Sequence, residues 1–437
     1  MLTLIGVGLL LLMMIPTYFL RHRRGVALLL AAAVSAALGF GIALIPMERT
    51  FVLWGREFAV GEAATVFGRS IVLDSLSQTA LTFLFLIGAA LFLLAWPLES
   101  GELYAPIGLG VLGLLAAALI VRPLVYAMLL LELAVALSVL LLRGGVGGAR
   151  YLTFCVLALP GPLVAHWLLD MYALTPDQAG LLNTASLLIG LSFALMLGLV
   201  PFHPWVPTLA RRESPLAVAL IFSAVGGTVW FLLLDYLRTY PWLGQSPYWS
   251  SALTVLGVGT AVAGGLLGTT RRGWGALLGY AVMVDTGMLV LALGRGEAVG
   301  LELERAMMLT RTWGVLTMAA GLAAVGVRQE SAETGWSPWG AVAAAAGLLS
   351  LAGFPPTVGF VSRWGLYRLL FREQSLTVVA LLLASVGPVV GLLRMLPAAL
   401  KSGIPARRAL TLTDLWLALA SLGAVGLGLF PQFLIYR

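Results

Sequence analysis

Two acids stand alone in long apolar runs of this 437-residue chain: Glu132 in LVYAMLLLELAVALSVLLL and Asp285 in LLGYAVMVDTGMLVLAL. A carboxylate at the centre of a bilayer costs about 2.5–3.5 kcal/mol on insertion scales, so each must face a wet or paired interior. The chemistry open to such a group is proton exchange with a neighbour or a structural ion pair. His203 adds an imidazole able to exchange protons near neutral pH. It stands among the prolines of PFHPWVPTLARRESP, where capping a broken helix is the equal alternative. Arg311 and Arg363 also fall in or beside apolar runs. A guanidinium is effectively never deprotonated in proteins, so these two pair acids and set potentials without handing protons on. His166 and Asp170, at the end of another run, read better as interfacial residues.

The elements that must hold these groups are membrane spans. The chain is 60% hydrophobic and only 10% charged, where a soluble domain carries about a quarter. Candidate spans cover roughly 2–20, 25–46, 73–96, 104–121, 123–142, 151–170, 181–201, 215–237, 251–270, 274–294, 302–326, 338–362, 376–397 and 411–432, each near the length that crosses a hydrocarbon core. The net charge of +7 does not indicate nucleic acid, because the arginines sit in short clusters between apolar runs rather than on one basic face. Arg21 to Arg24, Arg143 with Arg150, Arg211 with Arg212, Arg271 with Arg272, Arg328, and Lys401 with Arg407 and Arg408 all follow odd-numbered spans. The positive-inside bias then places both termini outside. Arg368 with Arg372 is the exception. Loops 47–72 and 238–250 hold Trp54, Tyr240, Trp242, Tyr248 and Trp249 as interface anchors. The first run precedes its basic cluster and so reads as a span rather than a cleavable signal. The single Cys155 leaves neither a disulfide framework nor a CxxC motif, and no iron–sulfur ligation by the chain's own thiolates.

Pro201, Pro204 and Pro207 interrupt the seventh span, since proline lacks a backbone donor and clashes with the preceding turn. Pro355 and Pro356 interrupt the twelfth, 154 positions after Pro201. Asp285 follows Glu132 by 153 positions. Broken spans at matching places point to a transporter-like architecture built from repeats. The predicted fold is an all-α polytopic membrane protein of about fourteen transmembrane helices, with two inverted five-helix repeats and two broken helices. Residues 1–103 hold helices 1–3, 104–237 the first repeat, 251–397 the second, and 398–437 helix 14. Gly264 and Gly268 form a small-xxx-small pair suited to close packing in the ninth span.

PFHPWVPTLARRESP, LLSLAGFPPTVGFVSRW, GWGALLGYAVMVDTGM and LLLELAVALSVLLL resemble, in order and spacing, the motifs of the antiporter-like membrane subunits of respiratory complex I. That family is shared with Mrp-type antiporters and membrane-bound hydrogenases, and the length is most similar to the NuoN type. The resemblance implies a row of charged residues across mid-membrane. Glu132 would be the fifth-helix glutamate that couples subunits, Arg363 would occupy a lysine site of the twelfth helix, and His203 would be the histidine after the break.

The sequence departs from that pattern at its centre. Met196 replaces the seventh-helix lysine, SAVGGTVW offers no ionisable group near Val225 to Gly227, and Asp285 stands where histidine is common, with Ala281 and Val282 in place of serines. A water file through the chain is therefore expected to be interrupted around Met196. The expected function is proton translocation, with Glu132, Asp285 and His203 in the relay and Arg363 and Arg311 on the central axis, in a complex I-like NADH:quinone oxidoreductase of the bacterial cytoplasmic membrane. The chain shows no Rossmann fingerprint, P-loop or cluster ligands, so cofactors, NADH and quinone belong to partner subunits, alongside other antiporter-like subunits and the bilayer. The rivals are a scaffold subunit that has lost conduction and a free-standing ion antiporter.

Overall fold

The computed structural model describes residues 2–46, 50–53, 56–59, 64–66, 68–98, 100–245, 247–270, 273–295, 301–325, 338–372, 374–401 and 412–430. Trp54, Arg271, Arg272, Arg328, Arg407 and Arg408, singled out above, lie outside the described residues. The helices are α1 (Leu2–Phe19), α2 (Arg24–Ala43), α3 (Ser75–Ala95), α4 (Tyr104–Ile120), α5 (Leu124–Val139), α6 (Val146–Ala158), α7 (Pro160–Leu174), α8 (Ala179–Leu197), α9 (Trp205–Arg212), α10 (Pro215–Leu220) and α11 (Gly226–Thr239). They continue with α12 (Pro241–Gln245), α13 (Pro247–Thr270), α14 (Trp274–Leu293), α15 (Leu301–Ala324), α16 (Pro338–Ala352), α17 (Val358–Phe371), α18 (Ser375–Lys401) and α19 (Leu412–Leu429).

Helices dominate because hydrocarbon offers no partner to a free backbone group, so an apolar span must satisfy its own amides. Among the described residues nine helices are long and apolar enough to cross a membrane. Four shorter apolar helices, Leu4–Phe19, Tyr104–Ile120, Leu124–Val139 and Trp339–Ala352, join them, together with α15, whose acids and arginines lower its hydropathy. The fourteen predicted spans are thus accounted for among the described residues, which leaves Arg368 and Arg372 at the end of the twelfth. The helices outnumber the spans because α6/α7, α8/α9, α10/α11 and α16/α17 are each one interrupted span and the five-residue α12 spans nothing. The seventh and twelfth extend beyond their predicted ends, to Arg212 and Phe371.

The first long loop is not irregular. β1 (Thr50–Leu53) pairs antiparallel with β2 (Arg56–Ala59), and β3 (Ala64–Val66), β4 (Arg69–Ile71) and β5 (Val121–Arg122) form a second antiparallel ribbon.

Every residue of α14 is buried, as an all-round apolar helix should be. Asp285 therefore sits on the most enclosed helix of the bundle. Gly264 lets α13 approach it, since a Cβ there would lie 2.9 Å from the Tyr280 carbonyl oxygen.

The two breaks are built alike. Gly198 and Gly353 have φ of 64° and 66°, the left-handed conformation that glycine adopts without a Cβ penalty. Leu199 N–H donates to the Ala194 carbonyl at 2.9 Å, and Phe354 N–H to the Leu349 carbonyl at 2.9 Å. Gly198 N–H reaches Leu195, and Gly353 N–H reaches Ser350. Both are Schellman-type endings, which satisfy carbonyls that a helix terminus would leave bare.

Candidate functional site

The second break brings three distant charges together. Arg363 on α17 donates from Nη2 to Asp285 Oδ1 at 3.0 Å, and Arg311 on α15 donates from Nη1 to Asp285 Oδ2 at 3.3 Å. The same Arg311 nitrogen bonds the Thr286 hydroxyl at 2.6 Å. Arg363 also donates to the Leu351 carbonyl, freed by the break, and to Ser385 Oγ on α18 at 3.3 Å. Thr310 and Ser362 hydroxyls, 2.9 Å apart, tie α15 to α17. Asp285, Arg311 and Arg363 are 5%, 7% and 1% exposed. At such burial each ion needs its partners, because desolvation costs several kcal/mol per charge. With all three ionised the cluster carries one net positive charge. Arg311 Nε is buried without a hydrogen-bond partner.

Local sequence explains how Arg363 gets there. A Cβ on Gly353 would lie 2.3 Å from Arg363 Cδ. The one glycine both makes the left-handed turn and opens the path by which the guanidinium crosses the break.

The first break holds no such cluster. The Leu195 carbonyl is met there by the Trp205 indole N–H at 3.2 Å, and Val200 N–H donates to Thr260 Oγ1 at 3.0 Å. Met196 and Val225 line a cavity of about 30 Å³ that reaches Tyr151 and Cys155 on one side and Arg311 on the other. That volume suits about one water. Around it, Ile221–Val225 form a π-helical turn between α10 and α11, a local widening common at functional sites. The positions where lysines were implied are thus an apolar wall.

Glu132 on α5 is half-buried, and both its carboxylate oxygens are enclosed without a hydrogen-bond partner. On the neighbouring α6, the Tyr151 hydroxyl lies 3.3 Å from Ser138 Oγ of α5. His203 is half-buried in the first break, its Nδ1 enclosed and unpartnered. The structure joins Asp285, Arg311 and Arg363; Glu132 and His203 are not hydrogen-bonded to them. Pro201, Pro355 and Pro356 lie in the two turns. His166 is half-buried and Asp170 exposed.

Three features escaped the sequence. Glu213, 3% exposed, accepts the Arg143 N–H at 2.8 Å and the Gly148 N–H at 3.1 Å, so it ends α9 and caps the start of α6 at once. Arg122 pairs with Asp235 at 2.7 Å and Arg238 with Asp74 at 3.1 Å. Asp74 is the N-cap of α3 and receives the Ser77 amide and hydroxyl. Burial pushes its carboxyl up, but those bonds and the guanidiniums of Arg238 and Arg122 outweigh it and hold it below the usual carboxylate range. The only sequence signal for Glu213 was an acid directly after a basic pair, and the ion pairs span too many residues to be read locally.

The profile of the family described as NADH:quinone oxidoreductase/Mrp antiporter, TM, matches residues 167–388, half of the chain, including both breaks and all three clustered charges. The chain belongs to this family. It is similar to NADH-quinone oxidoreductase subunit N of Deinococcus radiodurans, 32% identical over 280 residues, or 60% of this chain and 55% of that one. It is also similar to formate hydrogenlyase subunit 3 of Escherichia coli, 29% identical over 203 residues, or 42% and 33% of the two chains. The chain spans about half the length of the first curated relatives it matches. Among solved structures, a chain of respiratory complex I from Thermus thermophilus superimposes with a TM-score of 0.72 at 20% identity, covering 100% of this chain and 99% of that one. A chain of the membrane-bound sulfane sulfur reductase, an archaeal respiratory membrane complex, gives 0.76 at 16% identity, covering 99% and 95%. The fold is therefore that of the family's antiporter-like membrane subunits.

Proposed function

We propose that the chain is an antiporter-like subunit in the membrane arm of a complex I-like NADH:quinone oxidoreductase, moving protons while partner subunits handle NADH, quinone and electrons. The observation that carries this reading is Glu132: a carboxyl enclosed in a span without a hydrogen-bond partner contributes little to holding the fold, and such residues mark ion pathways. In this reading Glu132 is the coupling acid and His203 exchanges protons at the first break. Asp285 is held between Arg311 and Arg363 as a fixed charge pattern that biases a proton on the axis. Spans four to eight and nine to thirteen are duplicated units; with five spans each they run in opposite senses. The chain sits in a bacterial cytoplasmic membrane with both termini outside, beside other antiporter-like subunits.

The test is Glu132→Ala in the assembled complex. Coupled proton transport is expected to fall severalfold with assembly intact. Normal pumping at unchanged stoichiometry would transfer the chain to the second reading, a scaffold that has lost conduction, which the apolar wall at Met196 and Val225 favours. Co-isolation with NADH-oxidising subunits would exclude a free-standing antiporter.

A further inference from the structure

Arg368 and Arg372 follow an even-numbered span, against the pattern of the basic clusters. Other described arginines at the ends of even-numbered spans have partners: Arg122 pairs with Asp235 and Arg238 with Asp74. Nearby, Arg69 stacks on the Tyr126 ring at 4.0 Å. Arg368 and Arg372 are exposed and have no ion-pair partner among the described residues. Beside them, a cleft of about 870 Å³ opens between α17 and α18.

The order of residues along the cleft is informative. Phe360, Trp364 and Arg368 of α17 and its C-cap Arg372 recur at every fourth position and form one wall, since such positions share a helix face. The Phe360 and Trp364 rings lie 5.8 Å apart at the inner end, and the two guanidiniums stand at the outer end. Val379 and Leu382 of α18 form the opposite wall. The stripe from Phe360 to Arg372 is about 18 Å long at the helical rise, comparable with one leaflet's share of a hydrocarbon core about 30 Å thick. An apolar slot of leaflet depth, closed at its shallow end by paired cations, matches a phospholipid with its chains inward and its phosphate outward. Arginine also favours phosphate through its forked donors.

We infer that the α17–α18 cleft is a binding site for an anionic phospholipid, its headgroup phosphate held by Arg368 and Arg372. The site rests on the membrane-spanning fold alone and stands apart from the proton-transport reading.

The experiment is native mass spectrometry of the full chain in detergent, titrated with phosphatidylglycerol or phosphatidylcholine. Wild type is expected to retain phosphatidylglycerol, and the R368Q/R372Q double variant to bind it about tenfold or more weakly, as the loss of two interfacial cations implies. Val379→Trp, which fills the slot and leaves both arginines, should weaken retention as well. Equal retention by the double variant, or equal retention of phosphatidylcholine by wild type, would overturn the proposal. So would unchanged binding in Val379→Trp, which would reduce the effect to surface charge. Displacement of the lipid by inorganic phosphate alone would reassign the arginines to a free anion and also overturn it.

Discussion

At the first break the carbonyl of Leu195, which already takes the Gly198 amide, also accepts the indole of Trp205, and at the second the freed carbonyl of Leu351 is met by the guanidinium of Arg363. The turns around them carry the same glycine conformation and the same amide-to-carbonyl bonds. Backbone architecture and central chemistry are therefore separable in this fold. A helix can be broken and resealed by a neutral donor as well as by a charged one, and only the second half uses the opening to concentrate charge. The first half keeps the opening and fills it with Met196, Val225 and a cavity of about one water's volume.

The largest effect should come from Arg363→Ala. It leaves Asp285 with one partner and the Leu351 carbonyl bare, and breaking a buried pair costs about 3–5 kcal/mol. A fall in the thermal midpoint of the purified chain measures it, and an unchanged midpoint would mean that the cluster does not hold the second half together. Met196→Lys probes the other half. A charge placed in that apolar wall should cost about 2.5–3.5 kcal/mol, seen as a lower midpoint; a stable variant would show that the first half still solvates a cation. Glu213→Ala should cost about 1.5–3 kcal/mol, the range for bonds to a charged acceptor, with faster hydrogen exchange at Gly148.

Glycine substitutions test whether the two turns are equivalent. Gly198→Ala and Gly353→Ala both force a positive φ on a Cβ, at about 1–3 kcal/mol, and the added Cβ would press on Val206 Cγ2 at 2.4 Å in the first turn and on Arg363 Cδ at 2.3 Å in the second. Only the second displaces a buried charge, so Gly353→Ala should be the more harmful, and equal losses would deny the guanidinium its reliance on that glycine.

Asp74 gives the smallest effect. Its carboxyl is held low in the folded chain, so its contribution is present above the ordinary carboxylate value of about 3.9 and is lost as pH falls through the lower folded value. Asp74→Ala should cost about 1 kcal/mol as a lost cap and flatten the stability profile at acid pH.

Much of this was legible in the chain. Asp285, Arg311 and Arg363 stood out because each is costly in an apolar run, and cost marks a residue without reference to its neighbours. Pro201, Pro355 and Pro356 announced the breaks for the same local reason. What stayed hidden was relational. Glu213 carried no local signal of its role because its two donors, Arg143 and Gly148, lie 70 and 65 positions earlier. The π-helical turn at Ile221–Val225 leaves the hydrophobic pattern of a continuous helix unchanged, and the interruption at Ala158–Pro160 lies within an apolar run that continues on both sides of it. The strands of the first long loop alternate too briefly to be told from coil.

One carboxylate, that of Glu213, finishes α9 and begins α6. The two segments consequently share a joint, and a push on the rod beyond the first break is delivered to the rod bearing Tyr151 and Cys155. The rod after the first break and the helix carrying Tyr151 and Cys155 are thus tied by one side chain, so neither can tilt without pulling on it.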